Sequence, residues 1–126
     1  AEKDFGALSQ GQRQIVILAR CIVQDSPVML MDEPDSALDF LNRHMVLSKI
    51  RELIKEENKA GLITLHDPNF AMAYCDRLLL LKEGRLVGEL DMRRAKADEV
   101  KKKLSLIYGD IELLQSGDSF LMGKAL

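Results

Sequence analysis

Two adjacent carboxylates, Asp32 and Glu33, follow directly after the apolar run at residues 28–31. Parallel sheets bind ligands at the carboxyl ends of their strands, so polar residues placed there border a crevice. Successive side chains of an extended segment point in opposite directions, which allows Asp32 and Glu33 to do different things. In phosphate-transfer sites one such group holds Mg²⁺ and another orients or deprotonates the attacking water. The alternative is a strand-ending turn with solvated charges.

The stretch LSQGQRQ, residues 8–14, has the pattern of a helix start. Ser9 followed three residues later by Gln12 matches a capping box, and many helices begin this way without any ligand. Gly11 in the first turn is unfavourable for helix stability, which makes better sense if a ligand must approach the backbone closely. A helix start with free N–H groups and a serine hydroxyl is suited to bind phosphate.

Two further polar residues lie where functional groups are often found, one directly after an apolar run and one directly before a predicted helix. His66 comes directly after the apolar run at residues 62–65. A lone histidine in such a place is more often a capping or core residue than a catalytic one. Asp39 stands just before a helix predicted to begin near Phe40, where its simplest role is an N-cap.

The elements that would position these residues alternate between helices and short apolar strands. Apolar runs at residues 28–31, 62–65 and 78–81 lack polar alternation, which predicts a parallel sheet covered by helices on both faces. The fold class is therefore predicted to be α/β.

Helices are predicted on either side of these strands. One spans residues 10–24 and a longer one spans residues 40–58, with Gly61 expected at a C-cap. Asp67 and Pro68 predict the N-cap and first turn of a short helix that ends near Cys75.

The remainder of the chain predicts a small α+β appendage. Residues 77–81 and 85–90 flank KEGR like a hairpin, and a charged amphipathic helix is predicted over residues 97–108. After Gly109, IELLQ and SFLM flank SGD as a second small hairpin.

Composition limits the kinds of partner. The chain has 126 residues and a formal net charge of -2, so no basic excess indicates a nucleic-acid surface. No apolar stretch reaches the roughly 18 residues needed to cross a bilayer, so any membrane contact is expected to go through a partner protein. Cys21 and Cys75 lie far apart among aliphatic residues, which predicts buried, reduced thiols in a cytosolic protein.

Four motifs in series, LSQGQRQ, VMLMDEP, DSALD and LITLHD, resemble the catalytic half of an ATP-binding cassette (ABC) ATPase. The resemblance implies a partial P-loop NTPase fold, with residues 1–92 forming the C-terminal half of the nucleotide-binding domain and residues 93–126 a small appendage. The segments HDPNFAMAYCDR and KKKLSLIYGDIELL are most similar to ATPase subunits of importers for ferric siderophores, haem or cobalamin.

The resemblance also implies roles for the acidic pair and the histidine. Asp32 would hold Mg²⁺, Glu33 would act as general base on the attacking water, and His66 would contact the γ-phosphate of ATP. ATP and Mg²⁺ are thus the implied cofactors of the full-length protein.

The same resemblance implies a second ATPase subunit and a membrane permease as partners. Ser9, Gly11 and Gln12 would reach the γ-phosphate of a nucleotide bound mainly by the other subunit, and Asp39 would link the two sites across the homodimer. The protein would then be cytoplasmic and peripheral on the inner face of the cell membrane.

The chain contains no G-x-x-x-x-G-K-[ST] motif, the loop that cradles nucleotide phosphates. We therefore expect this chain to be a fragment that neither binds ATP tightly nor hydrolyses it alone. Strands without their neighbours tend to associate, which predicts a homodimer or higher oligomer. Two alternatives to an importer subunit remain: a soluble ABC ATPase without a permease, working in cluster assembly or repair, and a non-enzymatic dimerising fragment.

Overall fold

A computed structural model describes residues 27–125, which fall into two compact units divided between His66 and Asp67. The helix predicted over residues 10–24, with Cys21, lies outside the described residues. The domain boundary expected near residue 92 stays a prediction. Across residues 27–125, no helix combines the length and apolar character needed to span a membrane.

The first unit is built on two parallel strands joined through a helix. Strand β1 (Val28–Asp32) pairs with strand β2 (Ala60–Thr64), and helix α1 (Phe40–Glu56) connects them. The register places Asp32 opposite Thr64. Parallel strands cannot be joined by a tight turn, so the helical crossover is what this pairing requires. The parallel pairing predicted from the two apolar runs is confirmed here.

The end of helix α1 differs from the prediction that Gly61 occupies its C-cap. Gly61 lies inside strand β2, and the left-handed position after the helix is taken by Asn58, with φ of 51°. Asparagine tolerates this conformation better than most residues other than glycine. Gly61 has another reason to be small, because an added Cβ would collide with the Ile54 side chain of helix α1.

Among residues 27–125, the β1–β2 pair buries the face that carries Met29 and exposes the face that carries Leu30. Met29 is buried, whereas Leu30 is 72% exposed and its partner Leu62 is 54% exposed. Side chains alternate along a strand, and helix α1 packs on the side where Ile54 meets Gly61. Leu30 and Leu62 face the other way.

The second unit opens with helix α2 (Pro68–Tyr74), in agreement with the predicted short helix. The Asp67 carboxylate accepts a hydrogen bond from the Asn69 backbone N–H at 2.8 Å, which caps the helix. Cys75 is the C-cap of this helix, and it is half-buried rather than fully buried as predicted.

Strand β3 (Arg77–Lys82) forms an antiparallel hairpin with strand β4 (Arg85–Asp91). The hairpin around KEGR is confirmed, and the assignment of residues 78–81 to a parallel sheet is wrong. Leu78 and Leu80 are buried while Leu79 and Leu81 are exposed, so one face of the strand is buried and the other is not. A run of four leucines hides this alternation because every position is equally apolar.

Helix α3 (Ala97–Tyr108) and the hairpin of strands β5 (Ile111–Ser116) and β6 (Ser119–Lys124) complete this unit, as predicted. Helix α3 places Val100 and Leu104 in the core. One hydrophobic cluster of buried residues lies in the second unit and comprises Met72, Leu78, Leu80, Leu90, Val100, Leu104, Ile111 and Phe120.

Candidate functional site

The carboxyl ends of strands β1 and β2 bring three of the predicted site residues to one edge. Asp32 is the last residue of β1, Glu33 follows it, and His66 comes two residues after the end of β2. Because the strands are parallel, these ends lie side by side. The structure therefore places Asp32, Glu33 and His66 together, and their catalytic roles stay predictions.

Glu33 and His66 are in direct contact. The Glu33 Oε1 atom pairs with the His66 Nε2 atom. The His66 side chain is 87% exposed and that of Glu33 is 34% exposed, so the pair stands at the solvent-facing rim. A carboxylate and an imidazole in this arrangement can accept and donate protons to a molecule bound at the strand ends.

Thr64 connects the two acidic residues and was not among the site residues predicted from the sequence. Its Oγ1 donates a hydrogen bond to Asp32 Oδ1 at 2.5 Å and accepts one from the Glu33 backbone N–H at 2.9 Å. The Glu33 N–H also approaches the Thr64 carbonyl oxygen at 3.2 Å. The available signal was a threonine inside the second apolar run, which a parallel register could place opposite the first carboxylate.

Asp39 lies at the start of helix α1 and does not contact the acidic pair. Its carboxylate accepts a hydrogen bond from the Asn42 backbone N–H at 2.8 Å, and its carbonyl accepts one from the Arg43 N–H at 2.9 Å. The N-cap interpretation is confirmed. The link between two nucleotide sites that the resemblance implies for Asp39 stays a prediction.

Replacing Asp39 with alanine is expected to destabilise the first turn of helix α1 by about 1 kcal/mol, because the Asn42 N–H loses its acceptor. Amide hydrogen exchange at Asn42 should quicken about fivefold. Asp39→Ser, which retains a capping oxygen, is the matched control and should exchange at nearly the original rate. Equal exchange in the alanine and serine variants would contradict the capping role.

Ser9, Gly11 and Gln12 lie outside the described residues. Their predicted contact with a nucleotide on a neighbouring subunit therefore rests on the sequence pattern alone.

The residues at the strand ends suit a magnesium ion that is shared with phosphate. Within residues 27–125, no group of three or more His, Cys, Asp or Glu side chains is arranged to hold a metal by itself. Mg²⁺ is usually bound through one or two carboxylates together with waters and substrate phosphates. Asp32 is an exposed carboxylate with one oxygen engaged by Thr64, which leaves the other for such an ion.

Comparison with known proteins shows which family of proteins this chain is similar to. A family model described as "ABC transporter" matches residues 1–36, which include strand β1 and the acidic pair. The hemin import ATP-binding protein HmuV of Vibrio parahaemolyticus is 39% identical over 114 residues, covering 86% of this chain and 43% of that protein. The cobalamin import ATP-binding protein BtuD of Halobacterium salinarum is 40% identical over 86 residues, covering 68% of this chain and 22% of that protein.

Solved structures give the same result. An ABC transporter in an inward-facing conformation has a TM-score of 0.77 and 30% identity, covering 98% of this chain and 49% of that chain. The ATP-binding cassette MJ0796, solved as a dimer with ADP and Pi, has a TM-score of 0.59 and 31% identity, covering 71% of this chain and 38% of that chain.

These matches identify the chain as part of an ABC transporter ATPase domain with an α/β fold. The particular relatives named above are import ATP-binding proteins. The chain spans less than half the length of either one.

Proposed function

We propose that this chain is the C-terminal half of the nucleotide-binding domain of an ABC importer subunit, and that the full-length protein hydrolyses ATP to drive transport. The observation that carries this proposal is the gathering of Asp32, Glu33 and His66 at the carboxyl ends of two parallel strands. The similarity to import ATP-binding proteins supports the same function.

In the proposed mechanism, Glu33 takes a proton from the water that attacks the terminal phosphate. His66 holds the Glu33 carboxylate on one side and reaches the terminal phosphate on the other, which its high exposure allows. Asp32 would hold a magnesium ion, which would supply positive charge to neutralise the charge that develops on the phosphates. The protein's contribution is positional and electrostatic, because phosphoryl transfer requires little covalent chemistry from side chains.

The proposed partners are a second copy of the subunit and a membrane permease. The relative solved as a dimer with ADP and Pi supports pairing of two ATPase subunits. The exposed Leu30 and Leu62 face also favours association, since uncovered strands tend to pair with or pack against another chain. The subunit would then be peripheral on the cytoplasmic face of the membrane.

The proposed cargo class is an iron siderophore, haem or cobalamin. The relatives named for hemin and cobalamin import support this class. The cargo contacts would belong to the permease, so the ATPase subunit supplies the energy for transport and not the choice of cargo.

Magnesium-dependent ATP hydrolysis measured on two purified proteins tests this proposal. The full-length protein should hydrolyse ATP, and the 126-residue chain alone should not, because it contains no phosphate-binding loop sequence. Turnover by the 126-residue chain would refute the assignment of this chain as an incomplete site. Absence of hydrolysis by the full-length protein with its permease would refute the ATPase proposal.

A further inference from the structure

Thr64 occupies a position that no catalytic role yet explains. It is the last residue of strand β2 and lies directly opposite Asp32 in the parallel register. A hydroxyl group has a single proton to donate, and here that proton goes to Asp32 Oδ1. The short 2.5 Å distance is typical of a hydrogen bond from a hydroxyl to an ionised carboxylate.

The same hydroxyl oxygen accepts the backbone N–H of Glu33. Glu33 has a φ of 46°, which lies in the left-handed region that residues other than glycine seldom adopt. Such a conformation persists only when surrounding contacts hold it. Thr64 provides two acceptors for that purpose, its hydroxyl oxygen at 2.9 Å and its carbonyl oxygen at 3.2 Å.

We propose that Thr64 is a positioning residue for the hydrolytic site, because its hydroxyl fixes the Asp32 carboxylate and the Glu33 backbone at the same time. This inference rests on the proposed function of Asp32 and Glu33. The hydroxyl donates a hydrogen bond to one carboxylate oxygen of Asp32, so the other oxygen is the one available to a metal ion. It also holds the backbone from which the Glu33 side chain reaches His66.

The strand register explains why one side chain can serve both acidic residues. Asp32 and Thr64 share a face of the β1–β2 pair, and the chain turns at Glu33 immediately afterwards. The Glu33 N–H therefore points back to the end of strand β2. A valine at position 64 would keep the branched shape but would remove both hydrogen bonds of the hydroxyl.

The test compares Thr64→Val with Thr64→Ser in the full-length protein. In the valine variant, kcat for magnesium-dependent ATP hydrolysis should fall by about 10- to 100-fold, because small misplacements of catalytic groups have effects of this size. The KM for ATP should change little, since Thr64 acts through the acidic pair. The serine variant keeps the hydroxyl and should recover most of the lost rate.

Hydrogen exchange at the Glu33 amide, measured without nucleotide, provides a readout that does not depend on activity. Exchange should be about fivefold faster in the valine variant than in the serine variant, because one of two acceptors is lost. Equal exchange in the two variants, or equal loss of kcat in both, would overturn the proposal.

The two proposals fail in different ways. If the unmodified full-length protein does not hydrolyse ATP, the proposed function fails, and the exchange comparison alone still decides whether Thr64 holds Glu33. If the unmodified protein hydrolyses ATP and the valine variant matches it in kcat, the function stands and the role of Thr64 is wrong.

Discussion

Replacing Glu33 with glutamine in the full-length protein is expected to lower kcat for ATP hydrolysis by about 100- to 10,000-fold, the usual contribution of a positioned general base. A glutamine side chain has the same length as glutamate and can still hydrogen-bond to His66. It cannot take a proton from the attacking water. ATP binding should therefore be retained while turnover is lost, which equilibrium binding and steady-state hydrolysis assays measure together.

A matched surface substitution separates this effect from a general effect of losing a carboxylate. Glu52 lies on helix α1, is exposed, and pairs with Lys49 three residues earlier. Glu52→Gln should leave both hydrolysis and ATP binding unchanged, because exposed ion pairs of this kind contribute little. Loss of ATP binding in Glu33→Gln would show that Glu33 binds nucleotide and is not the base.

The second large effect is expected in the core of the second unit, where Leu90→Ala should lower the free energy of unfolding by about 3 kcal/mol. Leu90 is on strand β4, is 0% exposed, and packs in the cluster that includes Leu78, Val100 and Leu104. The loss combines the transfer free energy of the removed atoms with the cost of the cavity they leave.

Leu86→Ala is the matched control for this prediction. Leu86 lies on the same strand and is 59% exposed, so its truncation should change the free energy of unfolding by less than about 0.5 kcal/mol. The chain has no tryptophan, and Tyr74 and Tyr108 both belong to the second unit. Tyrosine fluorescence during urea unfolding of the 126-residue chain therefore reports on this unit. Equal changes in the free energy of unfolding for Leu90→Ala and Leu86→Ala would contradict the assignment of Leu90 to the core.

The features that the sequence predicted well have strong local causes. Helix α2 begins where Asp67 and Pro68 supply a cap and a preset first turn. The first hairpin turns where Glu83 and Gly84 both adopt positive φ, the geometry that suits two-residue hairpin loops. The parallel pairing of β1 and β2 also follows from their apolar composition and the helix between them.

Other features depend on tertiary contacts that no local pattern contains. The burial of Leu78 and Leu80 on one face of strand β3 is set by helix α3, which packs Val100 and Leu104 in the same cluster. Gly61 resembles a helix cap in the sequence, yet it lies inside strand β2, where the Ile54 side chain approaches it closely. In both cases the local sequence was compatible with two structures, and tertiary packing favours the one that was not predicted.

The candidate site also combines features with local causes and features that depend on tertiary contacts. An apolar strand followed by a carboxylate pair was enough to predict that Asp32 and Glu33 lie at a sheet edge. The contact between Glu33 and His66 requires residues 33 positions apart to meet, which follows only from the observed pairing of the strands. Thr64 was missed because its position opposite Asp32 depends on a register that the sequence does not specify.

The structure of the full-length Glu33→Gln protein with ATP and Mg²⁺ tests the central claim most directly. The terminal phosphate should lie at the carboxyl ends of strands β1 and β2, with Asp32 bound to Mg²⁺ directly or through one water. The side chain at position 33 should lie about 2.6–3.2 Å from a water facing that phosphate. A terminal phosphate bound away from these strand ends, with Asp32 and His66 contacting neither nucleotide nor metal, would contradict the account.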